Sequence, residues 1–134
     1  MKRISLISLV IFGALALSGS LWPSGKSNAA PRRESAVVEF TETVRLQGVL
    51  LRGQYFIVHD EERMARNEFC TYIYHGDRQN DAKLAIAFHC MHVDRDRAAA
   101  FKVTYYGNTT PYGVREVKEI QFAGSTVGHR VPYF

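Results

Sequence analysis

The chain has 134 residues, with 17 Lys and Arg, 13 Asp and Glu and five His, for a formal charge of +4. That length holds about one domain and excludes a hinged two-domain enzyme, a TIM barrel or a complete dinucleotide-binding fold. At 46% hydrophobic and 22% charged residues the composition is globular, not disordered.

Residues 1–29 read as a secretory signal peptide. Lys2 and Arg3 form a positive start, residues 4–17 an apolar run, and Ser27-Asn28-Ala29 a small-residue cleavage site. An uncleaved anchor is the alternative, because residues 4–22 are just long enough to span a bilayer. Ser20 stands where a bacterial lipoprotein would carry its lipidated Cys, so the sequence predicts no membrane anchor after cleavage. The protein is expected to be exported, periplasmic or secreted, from a bacterial source. Lys2, Arg3 and Lys26 leave with the leader, which holds no acid. The remainder carries 14 basic against 13 acidic residues, and a nucleic-acid partner is excluded for want of a basic excess.

Residues 30–36 read as a flexible tail and 37–134 as a single β-rich domain. Strands are predicted over residues 37–51, with a turn at Arg52-Gly53, then over 54–59, 69–75, 83–93, 101–106 and 114–123. Broken alternation in the last of these points to a bulge or a helical start. Asp60 caps a helical turn through residue 67, and Asp94 or Asp96 a second over 97–100. Residues 124–129 read as a flexible or tightly turned C-terminal segment. The resulting expectation is mainly β: a compact antiparallel β-sandwich or small barrel of about six strands with one or two short helical turns.

Two cysteines in an exported chain predict one disulfide, Cys70–Cys90. A hairpin centred on Asn80 sets Cys70 opposite Cys90, Tyr72 opposite Phe88 and Tyr74 opposite Ile86 on one face. The alternative is a copper or zinc site. Thiolate, thioether and imidazole donors suit these metals. Strand parity puts Cys70, Cys90 and His92 on one face, with His59 or Met64 joining from the turn.

Three further readings remain. Tyr105, Tyr106 and Tyr112 flank a polar loop and suit recognition of a protein, a glycan or a small molecule. A small secreted hydrolase would draw on His59, Asp60, Glu61 or Glu62, although Asp60 is better read as a helix cap. Glu39, Glu42, Glu116 and Glu119 equally suit a solvated strand face, and Ser125 followed by His129 lacks the G-x-S-x-G elbow. The leading expectation is a non-catalytic extracytoplasmic binding or structural module closed by the disulfide, with no cofactor. The metal-binding protein comes second and the hydrolase third.

Overall fold

The computed structural model describes residues 32–107 and 113–133; the predicted leader and Tyr112 lie outside them. Two long strands, β1 (Arg33–Leu46) and β2 (Val49–Asp60), form a hairpin. Its two-residue turn is Gln47-Gly48, both with positive φ (48° and 80°). That conformation matches the right-handed twist of the flanking strands. The turn expected at Arg52-Gly53 is therefore corrected. Gly53 (φ 93°) sits inside β2 opposite Phe40, where the β1 register shifts between Phe40 and Val44. A bulge at this point bends and twists the ribbon while both strands continue. β1 also begins at Arg33, within the stretch read as a tail, because Arg33 to Ala36 pair with Asp60 to Ile57.

Helix α1 (Glu61–Ala65) follows, and Asp60 caps it as expected by accepting from the backbone N–H groups of Glu62 and Arg63. Strands β3 (Thr71–His75) and β4 (Leu84–Phe88) form the second hairpin. Its register is one residue from the expected one, with Thr71 opposite Phe88 and Ile73 opposite Ile86. The reason is local. Asn80 is not the tip; its side chain accepts from the Ala82 N–H and caps a 3-10 turn over Asp81–Lys83.

The strand expected over 83–93 is two strands. β4 ends at Phe88, His89 and Cys90 form a link, and β5 (Met91–Asp94) pairs with β8 (Val127–Arg130). Between them run β6 (Lys102–Tyr105) and β7 (Arg115–Gln121). The bulge expected in 114–123 is present: Thr104 faces Glu119 but Tyr105 faces Val117, leaving Lys118 as the extra residue. No helix forms over 97–100, and the segment 124–129, expected to be flexible or tightly turned, is turned over its first residues and then enters β8 at Val127.

The strand order is β4-β3-β2-β1-β7-β8-β5, with β6 also pairing with β7. All pairs are antiparallel except β1 with β7, where Val44 lies beside Arg115. The described residues are thus mainly β, as expected, but form one curled, mixed, eight-stranded sheet, a half-barrel, where an antiparallel sandwich or small barrel of about six strands was expected. Its curl follows from connectivity. β4 and β5 terminate opposite ends of the order, yet only two residues join them, so the chain reach holds those ends within about 10 Å. The inward positions carry the core, including Phe40, Leu51, Ile57, Ile73, Phe88 and Ile120. Each such apolar side chain contributes about 1.5–3 kcal/mol when fully buried.

Candidate metal centre

Four inward side chains converge where the two ends of the sheet meet. On β2, alternation turns Leu51, Ile57 and His59 inward, and His59 is fully buried. On β8 the same period turns His129 inward, also fully buried. His92 on β5 lies directly opposite His129 across the ladder. Phe88, Cys90 and His92 follow one another at two-residue spacing through the link, which brings Cys90 to the same place. One ligand-type atom from each of His59, Cys90, His92 and His129 lies within 4.8 Å of every other. Three are buried and His92 is exposed at the mouth.

The Cys90 Sγ is 3.5 Å from His129 Nδ1 and 3.6 Å from His59 Nδ1. His59 Nε2 is 3.3 Å from His92 Nε2. The ring centroids of His59 and His129 are 4.0 Å apart, and each lies close to His92. Donor atoms of a tetrahedral zinc site, at Zn–N near 2.0–2.1 Å and Zn–S near 2.3 Å, stand about 3.3–3.6 Å from one another. The individual approaches of 3.3–3.6 Å fall in that range, with Cys90 and His92 meeting different nitrogens of His59, and the four residues together could hold a metal ion.

A second ring of groups orients these donors. His129 Nε2 is 3.2 Å from Glu34 Oε2, so its ring donates there and turns the Nδ1 lone pair inward. Glu34 is inward on β1, opposite His59, and Arg32 lies 3.7 Å from its other oxygen. His59 Nδ1 is 3.4 Å from Thr71 Oγ1, an arrangement that leaves Nε2 directed at His92. Burial, with His59 and His92 facing it, pushes the His129 pKa down to about 3. The ring is neutral at ordinary pH, the state that ligates metal.

Cys70, just before β3, stands behind Cys90. Their sulfurs are 3.4 Å apart, and the Cys90 backbone N–H points at Cys70 Sγ. A disulfide holds its sulfurs about 2.05 Å apart. The expected covalent bond is therefore replaced here by two free, buried thiols in contact. The hydrogen bond from Cys90 holds the Cys70 thiol well below its usual range, while the same bond and burial push Cys90 up.

Of the residues singled out in the sequence, Cys90, His92 and His59 meet in the cage. Cys70 abuts it through Cys90, and Met64 is partly buried against the core, outside the four-residue group. His129 was missed, because its segment read as a turn. The period-two placement of Val127, His129 and Val131 is the signal that marks it as a strand residue. The remaining acid and serine candidates are engaged elsewhere. Asp60 caps α1, Glu61 accepts the Arg32 N–H and Glu62 pairs with Arg66. Glu42 pairs with Arg115, and Glu116 with Arg45. Glu119 takes Arg95 through two 2.7 Å bonds, and Glu39 is exposed. Ser125 Oγ closes a local turn with Val127. Arg115 lies over the Tyr105 ring, and Tyr106 packs edge-on against Tyr133 with Lys118 nearby. Comparison with protein-family models, curated proteins and solved structures finds no match for this chain.

Proposed function

We propose that the protein binds one zinc ion through His59 Nε2, Cys90 Sγ, His92 Nε2 and His129 Nδ1. The observation that carries this reading is the mutual approach of four donor atoms to within 4.8 Å, with Glu34 and Thr71 placed to fix the tautomers of two of the rings. One thiolate and three imidazoles suit zinc in a tetrahedral field. A cation at Cys90 draws the pair's negative charge to that sulfur and deprotonates it. Four protein donors fill a tetrahedron and leave no position for an activated water. The ion is therefore structural or stored, and the protein is not a metallohydrolase. If residues 1–29 direct export as the sequence implies, the metal is acquired outside the cytosol.

The test is reconstitution of the reduced, purified protein, first with zinc and then with cobalt(II). Expected are one metal per chain, intense tetrahedral d–d bands, and a sulfur-to-cobalt charge-transfer band that Cys90→Ser abolishes. Copper is titrated separately, since it outranks zinc at most nitrogen and sulfur sites. Substoichiometric metal, or an octahedral cobalt spectrum indifferent to Cys90→Ser, would overturn the reading.

A further inference from the structure

The centre has a single sulfur donor, Cys90, and a second thiol touches it. Cys70 Sγ lies 3.4 Å from Cys90 Sγ and is fully buried, while Cys90 retains 6% exposure. His92, the exposed ligand, stands on the solvent side of the cage. The two sulfurs need to approach by only about 1.4 Å to reach bonding distance. Cys70 itself is not among the four converging ligand residues. A thiol buried against a ligand sulfur, without a place in the cage, is positioned to compete with the metal for that sulfur.

We infer that Cys70 and Cys90 form a redox pair, so that the centre exists in two exclusive states: dithiol with metal, and disulfide without it. This rests on the metal-binding reading above. The oxidant class is a peroxide. The Cys90 thiolate attacks one peroxide oxygen, an S–O bond forms, the O–O bond breaks, and the hydroxide that leaves is neutralised by a proton from the buffer, the counterpart of the one Cys90 gave up on binding the ion. Cys90 is then a sulfenic acid. The Cys70 sulfur attacks it, the S–S bond forms, the S–O bond breaks, and the departing hydroxide takes the Cys70 thiol proton. Two electrons pass from the two sulfurs to one hydrogen peroxide, giving two waters. The ion loses its sulfur donor and dissociates from the three remaining imidazoles.

The experiment uses the full chain, reduced and loaded with zinc, treated with one equivalent of hydrogen peroxide. Zinc release is followed with a chromogenic chelator, thiols are counted after denaturation, and intact mass is recorded. Expected are loss of one zinc and two thiols per peroxide consumed, a mass lower by two hydrogens, and recovery of zinc binding with a dithiol reductant. Cys70→Ser and Cys70→Ala, used together in case one packs poorly, should bind zinc like the parent but gain oxygen irreversibly on peroxide treatment. Oxygen addition in the parent, or reversible release in both Cys70 variants, would overturn the pairing. So would a disulfide that yields to reductant only after unfolding, which would make it a permanent staple. Failure of the metal reading is distinguished by absence of zinc uptake in the reduced parent, and the mass change then decides separately whether the sulfurs pair.

Discussion

Glu34 stands outside the His/Cys cluster yet fixes the orientation of one of its rings. Its carboxylate receives the His129 Nε2–H at 3.2 Å, which leaves Nδ1 as the donor facing Cys90. Outer partners of this kind typically change metal affinity by 10- to 100-fold. Glu34→Gln keeps the shape and removes the charge, and zinc affinity is expected to fall about tenfold in competition against a chromophoric chelator. An unchanged affinity would mean that His129 is oriented by packing alone. Part of this centre was legible in the sequence. Cys90 and His92 share parity on any extended strand, and His59 ends a run whose alternation is plain. His129 and Glu34 were not legible, for a physical reason. Both reach the site through ladders between residues far apart in the chain, β5 with β8 and β1 with β2, and one-dimensional periodicity carries no information about such pairing.

At the scale of elements, β8 is held in place by a close approach that the sequence hides. Gly128 faces Gln121 across the β7–β8 ladder, and a Cβ there would overlap the Glu119 carboxylate and press on Arg95. Gly128→Ala is therefore expected to destabilise the fold by about 1–3 kcal/mol, the usual cost of forcing atoms into a packed site, read as a lower urea midpoint. Glu119 gives the same region a pH dependence. The bidentate hydrogen bonds from Arg95 hold its carboxyl below the ordinary value, against a smaller opposing effect of burial. The unfolded chain thus binds that proton more readily than the folded one. The stabilisation is present above the ordinary carboxyl range and is lost as pH falls through the lowered folded value. Urea midpoints measured from pH 7 downwards should show this acid limb, and Glu119→Gln should flatten it. The helical turn at Asp60 and the bulge in 114–123 were readable because each has a local cause. The β3–β4 register was not, since one residue of slack taken up by the Asn80 cap shifts every partner.

For the whole molecule, the position of the centre matters more than its donor set. The sheet order runs from β4 to β5, and those outer strands are joined by His89 and Cys90 alone. His59 comes from the β4-β3-β2-β1 half of the order, while His92 and His129 come from the β7-β8-β5 half. A metal held by these residues ties the halves together where no backbone ladder joins them. β5 and β8 are four residues each, so their ladder alone contributes little. Zinc is therefore expected to stabilise the fold globally and those strands most. At free zinc a hundredfold above Kd the gain is about 2.7 kcal/mol, on the order of 10 °C or more in Tm for a domain of about 100 residues. The measurement is thermal unfolding with zinc and with chelator, together with amide exchange resolved by strand. The zinc-dependent rise should vanish in Cys90→Ser, and the gain in protection should be largest over Met91–Asp94 and Val127–Arg130. Equal melting with and without zinc, or protection gained only around β3 and β4, would show that the centre does not clasp the open side of the half-barrel.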